Sequence, residues 1–243
     1  ETVRALYRPL SLREVPIVFT SLESAEIIKY AANAFLALKI TFINEIADLC
    51  ERVGGDVQDV AKGVGLDRRI GSKFLHAGPG YGGSCFPKDT AALARTAQTH
   101  DSPLKLVETT IEVNDARKRA MVEKIRSALD GAVAGRRLTV FGVTFKPETD
   151  DMREAPSLTI VPALIGAGAA VEPYAAAEGA DAVIVLTEWN MFRGLDLKRL
   201  RGVMAGATLI DLRNVYAAAE ARAAGFVYAS VGRPDRASPE DRP

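Results

Sequence analysis

The stretch GYGGSCFPKD, Gly80 to Asp89, sets a cysteine between a glycine-rich turn and the start of a predicted helix. Pro87 is of a type favoured at the first helical position, so the Cys85 sulfur is expected beside unpaired N–H groups and the positive end of a helix dipole. Both favour a thiolate, and Lys88 adds a cation. Gly80, Gly82 and Gly83 allow the backbone to approach a ligand and offer N–H groups to an anion. Asp89, one turn beyond Cys85, could hold or activate a water. Spacing leaves a second reading open, a buried structural thiol beside a helix-start acid, because cysteine is among the most buried residue types. Cys50, mid-helix among Ile46, Leu49 and Val53, reads as core.

Lys29 and Asn33 lie four apart, on one face of a predicted helix, within IIKYAANAFLALKI. An ammonium and an amide so placed can polarise or hydrogen-bond one oxygen. A surface pair is the alternative, since Lys39 and Asn44 look equally suitable. Phe145 and Lys146, followed by DDMRE with Arg153, come at the carboxyl end of a predicted strand, and Arg213 in IDLRN ends another. Open parallel sheets bind ligands at that edge. Three cations there suggest an anion such as a diphosphate, with a solvated loop charge as the alternative for each. His76 and His100 have no partners at metal spacing, and no metal site is expected.

The elements that must position these residues fall into two kinds. A capping-box spacing at Thr20 and Glu23 opens a helical pattern without Pro or Gly from Leu22 to Val53, stopped by Gly54 and Gly55. Shorter helices are predicted from Asp56, over Pro87–Gln98 and over Pro103–Leu129. From Gly135 the pattern alternates: RRLTVFGVTF, DAVIVLTEW, ATLIDLRN and FVYASV read as strands, with helices between them. The fold class is therefore α/β, an all-helical unit with a long central helix followed by a Rossmann-like parallel sheet. The expected boundaries are 1–20, a helix and strand resembling the end of a preceding unit; 21–130, helical; 131–230, the sheet; and 231–243, a disordered tail. No G-x-G-x-x-G follows the first strand, so a dinucleotide is not expected there.

Lys and Arg total 31, as do Asp and Glu, in a chain of 243 residues without a basic stripe. Neither nucleic acid nor an anionic membrane surface is the expected partner. No apolar run nears the roughly 20 residues that span a bilayer. Two cysteines in dissimilar contexts suggest no disulfide framework, which favours a reducing cytoplasm.

Five stretches in order, AEIIKYAANAFLALKITFINE, GLDRRIGSKFL, GPGYGGSCFPKD, GVTFKPETDDMRE and LTEWNMF, resemble the nucleotide-sugar dehydrogenases, and within them the branch acting on UDP-glucose. The resemblance covers the chain from about Pro16 to Val231. It implies a four-electron oxidation of carbon 6 of a UDP-sugar by NAD, through a thiohemiacetal and a thioester on Cys85. Lys29 would act on the carbon-6 oxygen, Asn33 would hold that oxygen or the water, and Asp89 would assist proton transfer in hydrolysis. Phe74, Leu75, Gly78, Tyr81 and Gly82 would line the UDP-sugar pocket with Phe145 and Lys146. Arg213 and Arg69 would add substrate contacts, one of them across a homodimer built through the helical unit. Lys88 and Arg153 would face the NAD phosphates.

The family's NAD-binding domain is not in this sequence, so the chain alone is expected to be inactive. The segment after Val171 is also shorter than the family's. Ser84, Lys88 and TEWNMF favour UDP-glucose; GDP-mannose or another nucleotide sugar, and a non-catalytic nucleotide-binding or dimerisation module, are the alternatives.

Overall fold

The computed structural model describes residues 2–7, 9, 17–173 and 177–234. After a short helix α1 (Thr2–Tyr7), the helical unit is built on α2 (Leu22–Val53), with α3 (Val57–Gly65), α4 (Cys85–Thr99) and α5 (Lys105–Ala128) against it. Ile17–Thr20 forms no strand and is exposed, unlike the short strand expected there. The cap of α2 is Ser21, whose hydroxyl accepts from the Ser24 N–H, and not Thr20. The helix ends as its sequence requires: Gly54 takes a left-handed φ of 83° and donates its N–H to the Cys50 carbonyl. Thirty-two residues give α2 a length of about 48 Å. Of its buried residues, Ala34, Ala37, Thr41, Asn44, Ala47 and Cys50 recur every three or four positions as one inward stripe, and Ile43 is buried beside them. Cys50 is core, as read.

The second unit is a five-stranded parallel sheet in the order β2-β1-β3-β4-β5. Its strands are β1 (Arg137–Phe141), β2 (Ala170–Pro173), β3 (Ala182–Val185), β4 (Thr208–Asp211) and β5 (Val227–Ser230). In register, Leu138 of β1 faces Val171 of β2 and Ala182 of β3. Strand β2 was not expected; Val171, where the sequence looked short, lies inside it. Positive φ at Gly142 ends β1 earlier than the apolar run suggests. Helices α6 (Ser157–Gly166), α7 (Asn190–Arg193), α8 (Leu197–Val203) and α9 (Ala218–Ala223) make the connections.

Both faces of the sheet are covered. Val183, Val185 and Leu209 pack with Leu197, Ala221 and Tyr228 on one side. On the other, Leu138, Val140, Ile184 and Ile210 join Ile160 and Leu164 of α6, Ile125 of α5, and Ile43, Ala47 and Val57 of the helical unit. The two units thus share one core. Val231 belongs to it as well, and the chain after it is held to the helical unit: the Gly232 N–H donates to Glu51 at 2.7 Å, and Arg233 pairs with Asp56 at 2.8 Å. The remainder of the expected tail, 235–243, and residues 174–176 lie outside the described residues. No helix among the described residues is long and apolar enough to cross a membrane.

Candidate active site

Helix α4 starts at Cys85, two residues earlier than expected, so the thiol sits on the first residue of a 15-residue helix. Ser84 precedes it without making a side-chain cap bond, which leaves the dipole end uncovered. Cys85 is exposed. Asp89, one turn on, is fully buried, and its Oδ2 accepts from Lys29 Nζ and Asn33 Nδ2, each at 2.6 Å. The two α2 residues singled out by spacing therefore meet the α4 acid. Burial pushes the Asp89 carboxyl up, but bonds from Lys29 and Asn33 with the Lys29 charge outweigh it and hold it below its ordinary value. The same bond raises Lys29, and the nearby Cys85 adds in that direction. Asp89 Oδ1 is buried without a partner, an acceptor left for a further donor. Lys39 and Asn44, which looked equivalent to Lys29 and Asn33, do other work: Lys39 donates to the Ile70 carbonyl, and Asn44 Oδ1 accepts the Gly78 N–H at 2.8 Å.

Cys85 opens onto a cavity of about 780 Å³ whose wall includes Phe74, Tyr81, Gly82, Phe145, Lys146, Arg153 and Arg213. Phe74 holds a φ of 65°, costly for a bulky residue, and lies edge-on to Phe86 at 5.9 Å, as does Tyr81. Burial drives the Tyr81 phenol up to about 12, so it stays protonated. The glycines serve close approach. A Cβ on Gly82 would overlap the Glu154 carbonyl, and one on Gly83, at φ 86°, would fall 2.7 Å from the Phe145 ring. The Gly83 N–H donates to the Arg153 carbonyl at 2.7 Å, so the loop before Cys85 and the loop after β1 interlock.

Not every expected wall residue lines the cavity. Leu75 turns inward and packs in the core, because an apolar side chain beside an outward Phe74 has the interior available. Gly78 lies beneath Arg213, where a Cβ would sit 3.2 Å from the guanidinium Nη1, a tight contact. Arg69 is held by Asp67 at 2.5 Å, largely exposed, away from this chain's cavity. Lys73, His76 and Asp151 line it without having been expected there, and so do Ser84 and Glu188, which the sequence marked only as signs of sugar preference. For Asp151 a signal existed: Asp-x-Arg occurs at Asp67, Asp115, Asp151 and Asp211, and at the three positions outside helix α5 the acid accepts the backbone N–H of the arginine two residues on. At Asp151, Arg153 also bonds through its side chain, holding that carboxyl at about 2. At Asp211 the arginine side chain leaves: Arg213 Nε donates to the Leu186 carbonyl at 2.9 Å and lies 3.2 Å from Glu188. Asp211 instead accepts from the Tyr228 hydroxyl and the Tyr216 N–H, and burial raises it.

The buried loop from Ala77 to Gly83 has no strand partner, so side chains supply its backbone bonds. Asn114 Oδ1 accepts from the Tyr81 N–H at 2.8 Å and its Nδ2 donates to the Tyr81 carbonyl. Arg117, ion-paired with Asp48, donates to the Gly78 carbonyl at 3.0 Å. No sequence signal distinguishes these from solvent-facing polar residues of a helix. Among the described residues no cluster could hold a metal ion.

Residues 23–116 match the UDP-glucose/GDP-mannose dehydrogenase family, central domain, and residues 139–174 and 169–218 match the UDP binding domain of the same family. UDP-glucose 6-dehydrogenase of Rhizobium meliloti (strain 1021) is 56% identical over 97% of this chain and 59% of its own length. UDP-glucose 6-dehydrogenase TuaD of Bacillus subtilis (strain 168) is 45% identical over 96% of this chain and 54% of its own. This chain thus spans 59% and 54% of the length of these curated relatives. Among solved structures, a UDP-glucose dehydrogenase from Pyrobaculum islandicum superposes with a TM-score of 0.82 at 32% identity, over 96% of this chain and 56% of that one. NDP-N-acetyl-D-galactosaminuronic acid dehydrogenase from Methanosarcina mazei Go1 does so at 0.85 and 30% identity, over the same shares.

Proposed function

Because the chain belongs to the UDP-glucose/GDP-mannose dehydrogenase family, with that family's central and UDP binding domains, we propose that it carries the thiol and the substrate pocket of a UDP-glucose 6-dehydrogenase. One observation supports this above others: an exposed cysteine on a helix start, at the mouth of a cation-lined cavity, beside a Lys29–Asp89–Asn33 cluster.

In this reading carbon 6 of UDP-glucose first loses a hydride while its hydroxyl loses a proton, giving the aldehyde. The Cys85 thiolate adds to that carbon and the oxygen takes a proton, so the aldehyde is tethered as a thiohemiacetal. Loss of a second hydride and of that proton gives a thioester. Water attacks the thioester carbon, the thiolate leaves, and UDP-glucuronate forms. Lys29, kept protonated by Asp89, faces the oxygen where negative charge develops. Asn33 holds that oxygen or the water. Asp89 stays ionised, so its role is to orient Lys29 and Asn33 through Oδ2 and a water through the open Oδ1.

NAD⁺, when bound, would supply the hydride acceptor, one molecule for each of the two oxidations. Lys88 and Arg153 fit its phosphates: both are exposed, Lys88 lies one turn along α4 from Cys85, and Arg153 shares the cavity wall with the thiol. The described residues offer no glycine-rich turn for the rest of such a cofactor, since β1 runs directly into the substrate loop. The diphosphate of the substrate would meet Lys146 and Arg213.

A second copy of the chain is the proposed partner. Ile28, Phe35, Phe42 and Leu49 recur every seven residues along α2 and are 47–61% exposed, an apolar stripe of coiled-coil spacing. Arg69, turned away from its own cavity, would then reach the partner's.

The test uses the whole protein that contains this chain, given UDP-glucose and NAD, with NADH counted per substrate. Wild type yields two; Cys85→Ser is blocked severely after the first oxidation. Unchanged stoichiometry and rate in Cys85→Ser would sink the thioester route.

A further inference from the structure

The motif LTEW at Leu186–Trp189 follows β3, and of its four residues only Glu188 lines the cavity. All four nonetheless hold the wall. Thr187 Oγ1 donates to the Thr144 carbonyl at 2.6 Å, and Trp189 Nε1 donates to the Thr144 hydroxyl at 3.1 Å. That hydroxyl in turn donates to the Lys146 carbonyl at 2.9 Å, closing the turn that carries Phe145 and Lys146. The Leu186 carbonyl accepts from Arg213 Nε at 2.9 Å, and Glu188 pairs with the same guanidinium at 3.2 Å. Arg213 also reaches the Phe145 carbonyl at 3.5 Å, so the two cationic walls are tied to each other as well as to the strand end. Thr144 and Thr187 are buried, where a lost donor leaves its acceptor without water.

We infer that Thr187 and Trp189, acting through Thr144, are positioning residues for the UDP-diphosphate end of the substrate, setting Lys146 and Arg213 at a fixed separation. The inference rests on the reading of this cavity as a UDP-sugar site. It assigns the clamp to binding and not to thiol chemistry, since Cys85 reaches the cavity from the start of α4, and Lys29, Asn33 and Asp89, which bond to one another, are not part of the cavity wall.

Two near-isosteric variants separate the possibilities. Trp189→Phe removes the indole donor and keeps an aromatic ring; Thr144→Val removes the shared hydroxyl and keeps the shape. Binding of free UDP to the whole protein is measured calorimetrically for wild type, each single variant and the pair, with steady-state kinetics and the rate of Cys85 alkylation by iodoacetamide alongside. Each variant weakens UDP binding and raises KM for UDP-glucose about three- to tenfold, the loss of one modest hydrogen bond. Saturated kcat and the alkylation rate stay at wild-type values. The pair is no weaker than Thr144→Val alone, because both act on one bond. Wild type that fails to bind UDP overturns the site reading itself. Wild type that binds while both variants match it, a fall in kcat at unchanged KM, or fully additive losses overturn the clamp alone. Should Trp189→Phe fail to fold, Thr144→Val carries the test with Thr187→Ser as the conservative partner, which keeps the donor and should bind UDP as wild type does.

Discussion

At Asp89 burial and pairing oppose each other, and pairing wins: a carboxylate with no exposed surface keeps its charge because Lys29 and Asn33 both bond one oxygen. Its folded pKa lies below the ordinary 3.8. The contribution of the pair to stability is therefore complete above that ordinary value and is lost as pH falls through the lower folded one. A carboxyl-carbon NMR titration should find Asp89 still ionised at a pH where an ordinary aspartate is half protonated. Asp89→Asn, equal in size but uncharged, removes the anchor of the Lys29 ammonium; kcat in the whole protein should drop by about two to four orders of magnitude while the thiol remains alkylatable. Helical spacing paired Cys85 with Asp89 and Lys29 with Asn33 but left a buried thiol and a surface pair open, and only the resemblance gathered the four into one expected site. What spacing could not supply was their meeting, since Lys29 and Asn33 resembled Lys39 and Asn44 until α4 was seen to lie across α2.

The elements were legible to different depths. Helix α2 has the predicted ends because Gly54 leaves no choice at one and polar caps cluster at the other, with only the capping residue shifted from Thr20 to Ser21. Strand β2 was missed because AVEP is four residues long and sits against a glycine-alanine run with no strand signature of its own. The polar side chains that replace a strand beside the 77–83 loop, Asn44, Asn114 and Arg117, were invisible for the opposite reason: a long helix gives polar residues no mark of burial. Asn114→Leu should leave both the N–H and the C=O of Tyr81 unpaired, at a cost of about 1–3 kcal/mol for each buried group, read as a lowered thermal midpoint. On the outer face of α2, replacing Phe35 and Phe42 together by Glu puts two charges into the proposed stripe. Sedimentation should then show a monomer at concentrations where the parent is a dimer, and a parent already monomeric would remove the proposed partner.

Across the whole molecule, the two units read from the sequence are joined more tightly than the change of pattern near Gly135 suggested. Ile43 of α2, Ile125 of α5 and Ile210 of β4 belong to one core, and the chain after β5 returns to Glu51 and Asp56. A single cooperative unfolding transition follows, and Ile125→Ala should lower it as a whole by about 2–5 kcal/mol instead of splitting it; calorimetry distinguishes the two. The same union gives the cavity its walls, helical thiol on one side and sheet-edge cations on the other. The proposed attachment of the substrate's carbon 6 to Cys85 is read most directly by peptide mass mapping of the whole protein quenched in acid during turnover of UDP-glucose with NAD. The peptide containing Cys85 should carry the mass of a UDP-glucuronyl group, absent when UDP-glucose is omitted; turnover with that peptide unmodified, or the group found on another residue, would rule the attachment out.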